Sequence, residues 1–298
     1  MVRMAGCLIS AFIFILCLSA APAAAQTQTA PADSLKRIEL KDGSTLQGRI
    51  IEQTDTQVVV RTLNDLEVKV PRANIRAIEP LQGRMVGGEF RRYDPNYTRL
   101  LFSPTGRPLR QGDGYFSDYY IFFPGVAYGV TNNISVMAGF SFLPGMGLTD
   151  QLFYVAPRFG ARVNEQLSLS AGTIYFSLMG EGGAGLAFLV GSYGPPEKSL
   201  TVGLAYPYVN DTGDDFDFSS HPILMLGGNW RLSNNLALLS ENWIFTGPEV
   251  SLSQVPFTVA LRFFGERLSV DLGFVIVGEV IKEGFPIPWL SAAYNFGR

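Results

Sequence analysis

From residue 97 onward the chain alternates between apolar and polar or small positions with a period of two, the signature of strands with two different faces. Between residues 152 and 163, Phe153, Val155, Pro157, Phe159, Ala161 and Val163 share one face, while Tyr154, Arg158, Gly160 and Arg162 share the other. Near the end, Leu268, Val270, Leu272, Phe274 and Ile276 oppose Ser269, Asp271 and Gly273, and Val255 to Phe263 repeats the pattern against Thr258, Ala260 and Arg262. Five tight polar turns, at residues 131, 164, 197, 233 and 265, each launch such a strand. Their apolar anchors Ile134, Leu167, Leu200, Leu236 and Leu268 are 33, 33, 36 and 32 residues apart. That spacing fits two strands of about ten residues, one short turn and one longer loop.

The five turns join ten strands, and Ile287–Phe296 reads as an eleventh. Tyr97–Pro104 is the natural first strand, which gives about twelve, with ten as the alternative. Strands this regular predict an all-β fold, an antiparallel barrel over residues 97–298.

Before it lies a smaller unit. Ile38–Leu40, the turn Asp42-Gly43, Leu46–Ile51, Gln57–Thr62, the turn Asn64-Asp65, Leu66–Val70 and Ile75–Ile78 predict five short strands within residues 35–80. The run Leu40-Lys41-Asp42-Gly43-Ser44-Thr45-Leu46-Gln47-Gly48-Arg49-Ile50, with Val58-Val59-Val60 behind it, resembles an Sm-like or SH3-like small barrel. Where the bacterial Sm-like RNA chaperone carries a Tyr-Lys-His group, this chain has Val70-Pro71-Arg72-Ala73, so the resemblance implies no RNA binding. Residues 81–96, with Gly83, Gly87, Gly88 and Asp94-Pro95, read as a linker.

Ahead of these, Arg3, the apolar run Cys7–Ala20 and the small residues Ala23-Ala24-Ala25 read as a secretory signal peptide over 1–25, followed by a flexible lead-in over 26–34. Both cysteines, Cys7 and Cys17, fall inside that leader, so disulfide and thiolate chemistry is not expected of the mature chain.

Composition changes the picture by asking what the apolar face meets. Of 298 residues, 47% are hydrophobic and 16% charged. A soluble sandwich also alternates, but it carries more charge on its broad outer surface. No run after residue 26 is long and apolar enough for a membrane helix, so the expected solution is a barrel with its greasy face toward lipid and the small unit in the periplasm. Aromatics near predicted strand ends, among them Tyr115, Phe116, Tyr119, Tyr120, Tyr206, Tyr208, Trp230, Trp243, Trp289 and Tyr294, read as interfacial girdles. The net charge of −3 gives no reason to expect a nucleic-acid partner. The expected partners are outer-membrane lipid, the barrel-assembly machinery during insertion, and an envelope protein met through residues 35–80.

A charge facing hydrocarbon at mid-depth costs about 2–4 kcal/mol. Arg158, Arg162, Arg231 and Arg262 are therefore expected in the lumen, either biasing a constriction toward anions or paired with Asp271, Glu241 or Glu266. Asp211, Asp214, Asp215 and Asp217 form an acidic loop that lacks EF-hand spacing and offers only a weak divalent-ion site. His221, the single histidine, beside Ser220, suggests a hydrolytic base and nucleophile, with a solvated loop histidine as the alternative. The glycine run 180–185 precedes no helix, so a phosphate cradle is not expected and no cofactor is implied.

Asn96-Tyr97-Thr98-Arg99-Leu100-Leu101-Phe102-Ser103-Pro104-Thr105-Gly106-Arg107-Pro108-Leu109, with Gly112-Asp113-Gly114-Tyr115-Phe116 and Tyr128-Gly129-Val130-Thr131-Asn132-Asn133, is similar to a family of uncharacterised bacterial outer-membrane barrels. The resemblance implies location and fold and supplies no activity. The expectation is a non-enzymatic narrow pore for small solutes; a structural or adhesive protein with a plugged lumen is the alternative, and an outer-membrane hydrolase the third.

Overall fold

The computed structural model describes residues 35–81, 83–87, 89–178, 182–210, 215–247, 255–277 and 285–297. The signal-peptide and lead-in readings lie outside these residues. The chain divides into two compact units, one ending at Leu81 and the other beginning after it.

In the first unit, β1 (Lys36–Leu40), β2 (Thr45–Gln53), β3 (Gln57–Thr62), β4 (Glu67–Pro71) and β5 (Ile75–Pro80) form one antiparallel sheet in the order β4-β3-β2-β1-β5. Ile38, Val58 and Val60 are fully buried at its centre, with Leu40, Leu46, Ile50, Ile75 and Ile78 packed around them. Gly48 is required where β2 crosses β3, because a Cβ there would sit 2.2 Å from the Arg61 carbonyl oxygen.

The second unit opens with a hairpin, β6 (Gly83–Val86) and β7 (Glu89–Arg92), in the stretch expected to be a bare linker. The Arg92 N–H donates to Asn234 Oδ1 at 2.7 Å, which ties the hairpin to a barrel turn.

Twelve antiparallel strands then close into a barrel: β8 (Gly114–Tyr119), β9 (Phe123–Gly129), β10 (Ile134–Phe140), β11 (Leu152–Arg162), β12 (Leu167–Leu178), β13 (Gly183–Tyr193), β14 (Lys198–Asn210), β16 (Ile223–Arg231), β17 (Leu236–Phe245), β18 (Phe257–Phe264), β19 (Leu268–Ile276) and β20 (Ile287–Phe296). The two-residue β15 (Asp217–Phe218) lies along the end of β14. Closure comes from β20 pairing with β8, Ala293 opposite Ser117, and from β13 pairing with β14. Closure leaves no open edge, as lipid requires of a β-structure that crosses it.

Turns 130–133, 163–166, 194–197, 232–235 and 265–267 lie at one end of the barrel, together with the start of β8 and the end of β20. They are polar because their side chains serve the turn backbone: Asn164 Oδ1 accepts from the N–H groups of Gln166 and Leu167 at 2.9 and 2.8 Å. The opposite end of the wall holds the ends of β10, β14, β17 and β19 and the starts of β11, β16, β18 and β20, with the connection 141–151 between β10 and β11.

The two faces of the wall are inverted relative to a soluble protein. Phe116, Tyr128, Phe159, Leu189, Val202, Leu226, Phe263, Phe274 and Tyr294 point outward and are exposed. Glu241, Arg262 and Asp271 point inward and are at most 3% exposed. This is the arrangement of a barrel solvated by hydrocarbon. Among the expected girdle aromatics, Phe116, Tyr206, Trp230 and Tyr294 are exposed, but Tyr115 and Tyr119 are buried, and Trp243 and Trp289 fall on the inward parity of β17 and β20. Position near a strand end did not decide their side; the register did, since one residue of shift exchanges the faces.

The strand count matches the larger expectation, but one member differs. Tyr97–Pro104 is not a wall strand, and the twelfth is Gly114–Tyr119.

Candidate functional site: the occupied lumen

The segment 94–111 enters the lumen from the turn end, bends back where Arg99 bridges Pro104, and returns to the turn end before the wall begins. Asn96, Thr98, Arg99, Leu100, Leu101, Ser103, Thr105, Arg107 and Leu109 are all buried. Backbone in a lumen must find its hydrogen bonds from the surrounding wall, and the inward side chains provide them. Glu241 Oε2 accepts from the N–H groups of Leu101, Phe102 and Ser103 at 2.9, 3.1 and 3.0 Å, while Oε1 accepts from Trp243 Nε1 at 2.9 Å. The Arg158 guanidinium donates to the carbonyls of Thr98 and Thr105 at 3.2 and 3.3 Å. Ser192 Oγ accepts from the Gly106 N–H at 2.9 Å, and Ser170 Oγ donates to Thr105 O at 3.0 Å.

The strongest anchor is ionic. Arg262 and Asp271 are direct cross-strand partners and pair bidentately at 2.7 and 3.0 Å. The same guanidinium reaches Asp94 at 3.2 Å and the carbonyls of Asn96 and Arg99 at 3.1 and 3.3 Å. Asp271 also accepts from Ser291 Oγ at 3.0 Å and lies 3.5 Å from the Arg99 guanidinium. Arg99 in turn packs over the rings of Tyr115 and Tyr119, at 5.9 and 5.6 Å from their centroids.

The wall leaves room for this segment. Gly227 faces Leu100, whose Cδ1 would lie 2.6 Å from any Cβ at that position. Gly106 presses against β12, and a Cβ there would sit 2.1 Å from the Ser168 carbonyl oxygen. Backbone cannot yield as a side-chain tip does, so Gly106→Val is expected to push residues 104–108 off the wall. Faster proteolysis of this segment in the refolded barrel checks it, and protection equal to the parent would contradict it.

The segment divides the lumen into two chambers. The loop-side chamber, of about 90 Å³, is bordered by Ile174, Phe188, Val190, Met225 and Trp243, with Arg99 and Arg158 at its floor. The turn-side chamber, of about 450 Å³, is polar and mixed in charge: Arg107, Arg110, Arg162 and Arg267 share it with Asp94, Asp113, Glu165, Glu197 and Glu266.

The expected site residues are thus dispersed. Arg262 and Asp271 do not border an aqueous constriction; they are at most 1% exposed and hold the inserted segment. Arg231 packs over the Phe264 ring at 5.0 Å, near the turn end. Arg162 donates to the carbonyls of Asn164 and Glu165 at 3.1 and 3.3 Å and borders the turn-side chamber. Arg158 alone of the four borders the apolar chamber.

Asp211 and Asp214 of the acidic loop lie outside the described residues. Asp217 pairs with Val209 in β15 and is exposed, and among the described residues no group of three or more His, Cys, Asp or Glu is placed to hold a metal ion. Ser220 Oγ lies 3.2 Å from His221 Nδ1, and both are exposed or nearly so on the loop after β15.

Glu241 was expected as an ion-pair partner of a lumenal arginine and instead accepts from backbone N–H groups and Trp243, while Arg99 and Arg107 were not singled out from sequence as lumenal anchors. Glu241 had the inward parity of its strand as a signal; the two arginines lay in a stretch read as wall or loop.

Fold and site together define a class: a transmembrane β-barrel whose lumen is filled by the chain segment preceding its first strand. No family model and no curated protein matches the chain. Among solved structures it is similar to the KdgM porin in complex with disordered oligogalacturonate, at 12% identity over 62% of this chain and 98% of that one, with a TM-score of 0.42. A mutant Rhodopseudomonas blastica porin aligns at 10% identity over 88% and 97%, TM-score 0.32, and outer-membrane expressed OmpT of Vibrio cholerae at 11% over 88% and 94%, TM-score 0.31. At this distance, function has to be argued from the lumen itself.

Proposed function

We propose that the chain is a narrow, non-enzymatic pore of a bacterial outer membrane, passing small solutes past a constriction formed by its own residues 94–111. The observation that carries this reading is the pair of chambers on either side of one inserted segment, within a closed wall whose outer face is apolar. A twelve-stranded barrel lies between those filled by side chains and those that leave a wide aqueous channel, so one segment suffices to set the bore. The five-stranded unit serves as an Sm-like or SH3-like periplasmic adaptor toward an envelope partner.

Planar-bilayer recording on the refolded full chain tests the pore. Discrete small steps with anion preference are expected, and replacing Arg158 and Arg162 together by serine should abolish the preference; unchanged selectivity would remove these arginines from the filter. A second reading, a structural surface protein with a permanent plug, is favoured by the buried Arg262–Asp271–Asp94 anchor. Total absence of conductance would establish that reading over the pore.

A further inference from the structure

We infer that the loop-side chamber is a binding site for a small organic monoanion with a short apolar body, a short-chain carboxylate, with Arg158 taking the head. The inference deepens the pore reading by naming its solute class and rests on that reading for its place in transport.

Three observations converge. The chamber walls are aliphatic and aromatic, contributed by Ile174, Phe188, Val190, Met225 and Trp243, and such a lining favours an apolar body over water. The floor, by contrast, carries cationic groups with spare donors. Arg158 makes hydrogen bonds to Thr98 O and Thr105 O through one nitrogen only, and among the described residues no carboxylate lies within 4.0 Å of it. Arg99, 3% exposed, borders the same chamber with Nε and Nη2 buried and unmatched, as are Thr98 Oγ1 and Ser103 Oγ. Every unmatched side-chain atom at this floor can donate, so the complementary group is an acceptor, and a carboxylate meets a guanidinium with two oxygens.

The pairing gives the valence. Arg262 and Arg99 share Asp271, and Arg262 also reaches Asp94. Arg158, bonded to two backbone carbonyls and with no carboxylate within 4.0 Å among the described residues, is the chamber-lining guanidinium left for one carboxylate to pair with. Volume gives the size. An apolar cavity of about 150 Å³ accepts benzene, so about 90 Å³ accepts a body of roughly three or four carbons.

The test is saturation-transfer NMR and calorimetry with butyrate on the refolded full chain in detergent. Saturable butyrate binding is expected, at least about tenfold tighter than for butylammonium or 1-butanol, which lack the charge Arg158 reads, and tighter than for acetate, which lacks the body. Arg158→Gln should lose at least about tenfold in affinity, and Arg158→Lys should retain part of it. Because Arg158 also holds the inserted segment, Ala156→Leu gives an independent arm: it fills the chamber, leaves the guanidinium in place, and should abolish binding. Absence of saturable binding, equal binding of the alcohol, or full binding in Ala156→Leu would each overturn the assignment. Bilayer recording separates this from the pore reading, since binding without conductance upholds the site and removes the pore, while conductance without binding does the reverse.

Discussion

Arg262→Leu is expected to destabilise the refolded barrel by about 3–5 kcal/mol, read as a lowered urea midpoint in tryptophan fluorescence, because removing one partner of a buried ion pair strands the other in a poorly solvated site. Here the stranded groups are several. Asp271 and Asp94 lose the cation between them, and the carbonyls of Asn96, Arg99 and Leu100 lose their donor at once. Arg99, 3.5 Å from Asp271, offers only partial compensation. Adding Asp271→Leu to Arg262→Leu should recover part of the loss, since deleting both members of a buried pair is far cheaper than deleting one. Recovery stays incomplete because the carbonyls of the inserted segment remain unmet. A single-variant midpoint within about 0.5 kcal/mol of the parent would mean that water reaches this cluster and that the segment is not anchored there.

Replacing residues 96–108 by a Gly/Ser stretch of equal length is expected to raise single-channel conductance by about tenfold or more, because a wall of this strand number encloses more space than its own inward side chains fill. Barrel closure depends on the pairing of β20 with β8 and of β13 with β14, which the replacement does not touch, so heat-modifiable migration on gels should persist. The cost falls on the wall: without the buried side chains of Arg99, Leu100 and Leu101 the stretch no longer seats, its backbone leaves Glu241 and Arg262 unmet, and thermal stability should fall with it. An intact barrel with unchanged conductance would show that another part of the chain closes the lumen.

Much of the wall was legible in the residues. The anchors Ile134, Leu167, Leu236 and Leu268 each begin a strand, and Leu200 lies two residues into β14. The inward parity of Arg158 and Arg262 follows from alternation, because a period of two assigns every side chain once one face is known. Tyr97–Pro104 was misread for a definite reason. Leu100-Leu101-Phe102 is an apolar run of strand-like length, and pattern alone cannot tell a segment buried against lipid from one buried inside a lumen. The short strands β8 and β9 are rich in Gly and Tyr, so the strand that completes the wall gave a weaker signal than the segment it encloses.

The residues by themselves determined a barrel turned inside out, because scarce charges and period-two alternation leave outward apolar faces nowhere but hydrocarbon to go. Only the tertiary structure decided what fills it. Whether Asp271 meets water, a solute or Arg262 depends on cross-strand register, and whether Asn96–Leu109 joins the wall or folds into the lumen depends on hydrogen bonds to side chains more than a hundred positions away. Those contacts link parts of the chain that no local pattern connects, and they exist only once the ring has closed.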